Sequence, residues 1–240
     1  MQIKTRGIIL RTIPYSENAV ITSIYTEQLG RGTYKIYGTH SRKSKFRSAL
    51  LQPLQPVIID VFHTPKNDVH SIKDISIDYF CENFALNPVK NAVALFVAEL
   101  LFRTLQTQEN DQNLFNFLRQ SIIILNECES GEGNFHLVFM LHLTRFLGFE
   151  PDIRNSEFAC FDLMNGHFVN RQPDHQHFLP SELKSPFLQV YNADFSQLQQ
   201  VKISRKERNA LLDSLIEYYK LHFADFKGLK SLDVLRELFA

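Results

Sequence analysis

The sequence predicts an α+β protein in which a small closed β-barrel precedes a helical domain. Three observations predict it. Residues 1–80 place apolar side chains in short runs rich in Ile, Val and Tyr, separated by turn residues; after Phe80 the apolar spacing changes to three and four; and an Asn-Gly pair interrupts the helical pattern between residues 157 and 169.

Five strands are predicted in the first part, near Lys4–Ile13, Ala19–Thr26, Gly32–Tyr37, Pro56–Phe62 and Val69–Ile77. Gly30 and Gly32 supply a hairpin turn between the second and third, and Pro65, Lys66, Asn67 and Asp68 a later one. Five short strands are too few for a sandwich and fit a barrel whose closure removes exposed edges, so an OB-like barrel is expected over 1–80. The helical domain is expected over 81–240. Asn87-Pro88 reads as a cap and first turn for a helix over Val89–Leu105, apolar enough to stand at the centre of a bundle. Further helices are expected over Asp111–Asn126 and Asn134–Leu147, the latter stopped by Gly148, with Phe96, Phe115, Phe117, Phe139 and Phe146 in the core. Asn165-Gly166 predicts a tight two-residue hairpin within Glu157–Val169. Ser204 and Glu207 form a capping-box pattern ahead of a long C-terminal helix.

Composition excludes several classes. The 240 residues are 44% apolar and 22% charged, close to an ordinary globular chain, and 21 Phe with no Trp is the one unusual choice. The densest apolar run, Ala94–Phe102, is interrupted by Glu99 and is far shorter than the about 20 residues that cross a bilayer, so no membrane partner is expected. Met1–Arg6 alternates polar and apolar residues, unlike an export signal, which places the expected location in the cytoplasm. Cys81, Cys128 and Cys160 are odd in number and unpaired in sequence, so neither a disulfide framework nor a thiolate metal site is signalled.

The zero net charge hides a polarised chain. Residues 1–80 hold eleven basic and six acidic side chains, net +5, and the remainder is −5. Between Glu27 and Asp60 there is no acid, while Arg31, Lys35, Arg42, Lys43, Lys45 and Arg47 all fall there. An ordinary surface mixes both signs; a run without counter-charge attracts polyanions. Strand alternation puts Arg31, Thr33, Lys35 and Tyr37 on one face of the third strand, opposite Gly32, Tyr34 and Ile36. The following segment adds His40, Arg42, Lys43, Lys45 and Arg47, with three hydroxyl side chains and Phe46. Such groups hold phosphates and stack bases without reading sequence. Arg11 extends the patch from the first strand, so the candidate DNA-binding residues are Arg11, Arg31, Lys35, Tyr37, His40, Arg42, Lys43, Lys45 and Arg47.

Enzyme signatures are absent: there is no Walker loop, dinucleotide fingerprint, nucleophile elbow or zincin motif. Cys160, His167, His175 and His177 are the nearest approach to a metal site, but only His175 and His177 are closely spaced, so no cofactor is expected. Two other readings remain open on these residues: an RNA-binding module on the same barrel, and a metal-dependent hydrolase built on His167, His175 and His177.

The chain resembles the RecO recombination mediator proteins of bacteria. The resemblance rests on Thr5-Arg6-Gly7-Ile8-Ile9-Leu10-Arg11-Thr12, Pro14-Tyr15-Ser16-Glu17 and Tyr25-Thr26-Glu27-Gln28-Leu29-Gly30, on Leu51-Gln52-Pro53-Leu54, and on Phe146-Leu147-Gly148-Phe149-Glu150-Pro151. It implies an N-terminal OB-fold, a helical C-terminal domain, binding of single- and double-stranded DNA, strand annealing, work with RecR, contact with the C-terminal tail of single-strand binding protein, and help in loading RecA during DNA repair. For the tail, the resemblance directs attention to Lys90, Arg103, Arg119, Arg145 and Arg154, and first to the space between the Val89–Leu105 and Asn134–Leu147 helices. One departure matters. Many members carry two C-x-x-C pairs of a zinc ribbon where this chain keeps only Cys160, so a ribbon outline held by Phe158, Phe161 and Phe168 without its ligands is expected.

Overall fold

The computed structural model describes residues 1–37, 50–64, 66–105 and 109–238. They divide into two compact units, Met1–Glu127 and Cys128–Ala240.

The first unit opens with a closed five-stranded barrel: β1 (Gln2–Ser16), β2 (Ala19–Thr26), β3 (Gly30–Tyr37), β4 (Pro56–Phe62) and β5 (Val69–Ile77), in the order β1-β2-β3-β5-β4. Antiparallel β1–β4 pairing and a short parallel β3–β5 pairing complete the circuit, as an OB-like barrel requires. β1 is longer than its alternation suggested because it serves two neighbours. Its first half pairs with β4 and its second with β2, and the irregularity between Ile9 and Arg11 turns the corner. Ile9, Ile24, Tyr34, Leu50, Val57, Ile59 and Val61 fill the interior. Of the two glycines expected to make the β2–β3 turn, only Gly30 takes a positive φ, at 62°. Gly32 is a strand residue whose missing side chain makes room for the Tyr34 ring: a Cβ there would sit 2.6 Å from Tyr34 Oη.

Three helices follow in the same unit, α1 (Glu82–Leu86), α2 (Pro88–Thr104) and α3 (Gln112–Glu127). Asn87 Oδ1 accepts from the backbone N–H groups of Val89 and Lys90 at 2.9 and 3.2 Å, capping α2 with Pro88 in its first turn. Asp111 caps α3 in the same way, through Asn113 and Leu114. α2 packs on β1 and α1 instead of standing at the centre of a helical bundle. Its buried Val93, Phe96, Val97, Leu100 and Leu101 account for the difference: an apolar stripe reports burial and says nothing of whether helix or sheet does the covering.

The second unit contains α4 (Glu132–Leu147), a three-stranded sheet of β6 (Cys160–Asp162), β7 (His167–Val169) and β8 (Phe178–Leu179), then α5 (Lys184–Asn192), α6 (Arg205–His222) and α7 (Ser231–Leu238). Gly148 ends α4 with φ 82°, and Ser204 and Glu207 make both bonds of the capping box on α6. The hairpin is less tight than the Asn-Gly pair suggested. Asp162 pairs with His167, which leaves the four residues Leu163–Gly166 as the connection. Asp162 closes that longer loop by accepting from the N–H groups of Met164 and Asn165 at 2.8 and 3.1 Å and from Asn165 Nδ2 at 2.7 Å. Phe161 seats the hairpin, its ring centroid 5.0 Å from Phe168 and 4.8 Å from Phe187.

Candidate nucleic-acid interface

Cross-strand register builds the outer face of β1, β2 and β3 in rows. Arg11, Ser23 and Thr33 lie abreast, then Ile13, Ile21 and Lys35, then Ser16, Ala19 and Tyr37, with no acid in any row. The opposite face carries Tyr34 and Ile36 into the barrel, so strand alternation separates cations from core. The end of this face nearest the helices is covered. Tyr25 stacks on Phe115 at 6.4 Å, and the Arg6 guanidinium pairs with Glu27 and lies 5.7 Å from the Phe115 ring. The hydrogen bonds from Arg6 hold the Glu27 carboxyl below its usual range.

The sequence-predicted residues are employed differently along this face. Arg31 donates from Nη1 to the carbonyl oxygens of Phe102 and Leu105 at 2.9 and 2.7 Å, closing the C-terminal end of α2, where the helix dipole is negative. Its guanidinium also lies 4.3 Å from the Phe102 ring, and burial lowers its pKa. Arg11 approaches the same ring at 5.1 Å but is itself exposed. Phe102 thus receives both arginines. Lys35 stands at the open end, its Nζ 4.2 Å from the Tyr15 ring centroid and 4.8 Å from that of Tyr37. Tyr15 and Tyr37 are 57% and 56% exposed, so aromatic surface faces solvent around an ammonium group. His40, Arg42, Lys43, Lys45 and Arg47 lie outside the described residues; the flanking Leu50 is buried. Sequence reasoning missed Tyr15 and Phe102. The irregularity between Pro14 and Ser16 breaks the period of two that would have placed Tyr15, and Phe102 is one of many apolar residues in α2.

The family model described as Recombination protein O N terminal matches residues 1–80, and that described as Recombination protein O C terminal matches residues 85–233. The chain belongs to the RecO family. A protein named DNA repair protein RecO from Phocaeicola vulgatus is 37% identical to it over 238 residues, covering 99% of both chains. Proteins of the same name from Bacteroides fragilis and Porphyromonas gingivalis are 34% and 33% identical, covering 98% and 100% of both chains. Among the described residues, no helix is long and apolar enough to cross a membrane.

The zinc ribbon that the resemblance implies for many RecO proteins does not fit the side chains of this sheet. Among the described residues no three His, Cys, Asp or Glu side chains converge as a metal site. Burial, with Asp162 nearby, raises the Cys160 thiol pKa, which opposes the thiolate a zinc ion needs. The histidines have other tasks. His175 Nδ1 accepts from the His177 N–H at 3.2 Å while its Nε2 faces Asp162 Oδ2 at 3.4 Å. His177 Nδ1 lies 2.6 Å from Glu217 Oε1 on α6, and His167 Nδ1 lies 3.1 Å from Asn165 O. Hydrogen bonds centred on Asp162 therefore hold a turn that a metal would otherwise organise. Full-length protein is expected to keep its melting temperature in excess chelator. Asp162→Ala should cost about 1.5–3 kcal/mol, because it removes three hydrogen bonds to a charged acceptor that close the turn, and Asp162→Asn should recover part of that. A stoichiometric zinc signal with a chelator-dependent melt would contradict this account.

The cations considered for an acidic tail are engaged as well. Lys90 is buried, with Nζ donating to Asn126 O at 2.7 Å. Arg119 meets Asp78 at 2.7 Å, Arg145 meets Glu150 at 2.9 Å, Arg103 meets Glu99 at 3.7 Å, and Arg154 meets Asp152 at 3.0 Å. α2 and α4, the helices between which the tail is expected, belong to different compact units.

Proposed function

We propose that this chain is a DNA-binding mediator of repair and recombination that works without a covalent step. Membership of the RecO family supports the role in repair and recombination, and the acid-free rows on the outer face of β1, β2 and β3 support DNA as its ligand. That face is the observation that carries the reading. Arg11 and Lys35 present positive charge on a rigid sheet, and the chain continues from Tyr37 straight into the segment bearing Arg42, Lys43, Lys45 and Arg47. Annealing needs two polyanions to be screened and brought together, and phosphate neutralisation with release of counterions does both. Arg31 supports the surface by fixing the end of α2, and Arg11 and Lys35 are the phosphate contacts on the sheet. RecR, the tail of single-strand binding protein and, through them, RecA are the protein partners this reading expects, and the acidic remainder of the chain is the part expected to meet them.

The test uses the full-length chain. Fluorescence anisotropy should show binding to single-stranded and duplex DNA of unrelated sequences, and the chain should accelerate annealing of complementary strands. Lys35→Ala and Arg11→Ala should each weaken binding by about two- to fivefold for every sequence, since phosphate contacts carry no base information. Co-purification with RecR and single-strand binding protein tests the partners separately. Absence of DNA binding would overturn the proposal, and tighter binding to RNA than to DNA of equal length would favour an RNA-binding module.

A further inference from the structure

We propose that Tyr15 and Tyr37, gathered around Lys35, form a stacking subsite for unpaired bases, and that this subsite makes the barrel favour single strands over duplex. The inference rests on the DNA-binding reading above and names which form of the ligand the open end of the face selects.

Three features of the site carry it. The two tyrosines are each more than half exposed, and neighbouring Ile13 is 41% exposed, so the patch offers aromatic and apolar surface to solvent at the open end of the strands. The ammonium of Lys35 lies within cation–π distance of both rings, which places the rings within about 9 Å of one another and holds a positive charge beside them. The rows that contain the patch carry Arg11 and Lys35 and no acid. A ligand that satisfies all three must bring flat apolar faces and negative charge together, at a spacing of one or two residues.

A single nucleic-acid strand does so, since each nucleotide pairs a π-face with a phosphate. In a duplex the base faces are already stacked on one another, and only sugar, phosphate and base edges face outward. The phosphates of either form can therefore reach Lys35 and Arg11, but only unpaired bases can use Tyr15 and Tyr37. Stacking is also tolerant of sequence, because every base has a π-face, so the subsite separates strand states without separating sequences. The local backbone favours the arrangement. The irregularity between Pro14 and Ser16 releases Tyr15 from strict alternation, and Tyr37 is the last residue of β3, where the chain leaves the sheet.

The experiment measures affinities of the full-length chain for an oligothymidylate, for a duplex of equal length, and for an abasic strand with the same number of phosphates, all at one salt concentration. Tyr15→Ala and Tyr37→Ala should each weaken the oligothymidylate complex by about tenfold, as stacked bases do when their aromatic partner is removed. Duplex affinity should stay within about twofold, and the salt dependence of single-strand binding should be unchanged, because no phosphate contact is lost. The abasic strand should bind the unaltered protein about as weakly as the oligothymidylate binds a protein carrying both Tyr15→Ala and Tyr37→Ala. Tyr15→Phe and Tyr37→Phe keep a π-face and should restore single-strand affinity, which separates stacking from hydrogen bonding. Lys35→Ala should instead weaken both strand forms and flatten the single-strand salt dependence. With no Trp and 8 Tyr in the chain, intrinsic emission reports tyrosine directly, so quenching by the oligothymidylate should diminish in either Ala variant. Because both side chains are exposed, circular dichroism and melting of the variants should match the parent. Equal losses for single strand and duplex, or no loss for either, would overturn the subsite while leaving DNA binding intact; failure of the unaltered protein to bind any strand would overturn both.

Discussion

Raising salt from 50 to 200 mM should weaken the complex with single-stranded DNA about a hundredfold. The first 80 residues carry a net charge of +5, and if about five phosphates are neutralised the log–log slope for a single strand is about −3.5. Most of that slope is expected from Arg42, Lys43, Lys45 and Arg47, since Arg31 is committed to the carbonyl oxygens of Phe102 and Leu105. Replacing those four cations with Ala should reduce the slope to about −1.4 or less, leaving at most the phosphate contacts of Arg11 and Lys35. The loss of affinity should be nearly the same for all sequences, and largest at low salt. A salt response as flat as that of a neutral surface would show that the missing acids between Glu27 and Asp60 serve some other purpose.

The four-cation variant and the tyrosine variants report on different terms of one interaction. Charge removal changes how many counterions are displaced and acts on every strand; ring removal leaves that number alone and acts only where bases are unpaired. Combining Lys35→Ala with Tyr15→Ala should give less than the sum of their separate losses, because the ammonium lies 4.2 Å from the Tyr15 ring and helps to place it, so that Lys35→Ala already costs part of the stacking.

What could be read in the sequence follows from the range of each physical signal. Strand alternation repeats every two residues, so β2, β4 and β5 and the outward placing of Lys35 and Tyr37 were legible from neighbours alone. β1 runs past the expected end at Ile13 to Ser16, because Pro14 followed by Tyr15 and Ser16 carries a turn signal and breaks the alternation. α5 and α7 are too short for a helical period to declare itself. The role of Arg31 was out of reach: its acceptors on α2 lie more than 70 residues away, and a sequence marks an arginine without marking the carbonyls it will meet. Gly148 was legible as a helix stop because it follows an amphipathic run and precedes Pro151, whereas Gly131 has no such frame.

Gly131→Ala is expected to be among the most damaging single substitutions in the second unit, and Gly148→Ala explains why. Both glycines flank α4 with nearly the same φ, 83° and 82°, so an alanine at either pays a similar backbone strain. Their surroundings differ. A Cβ at Gly148 would meet nothing within 4 Å, but at Gly131 it would lie 2.6 Å from both Gln199 N and Leu198 C, backbone atoms with no rotamer to give way. That backbone is tied to the start of α4 in its own right, with Asn134 Nδ2 donating to Leu198 O and Val201 O at 3.3 and 3.0 Å and Arg208 Nε donating to Asn134 Oδ1 at 3.0 Å. Relief would have to move this segment and break bonds to buried acceptors. Gly148→Ala should therefore cost about 1 kcal/mol, lowering the melting temperature by about 2–4 °C. Gly131→Ala should cost about 2–5 kcal/mol, strain and overpacking together, and lower it by about 5–15 °C. Calorimetry on the two variants checks the difference. Equal shifts would mean that the Leu198–Gln199 backbone yields freely, and that the positive φ alone accounts for glycine at both ends of α4.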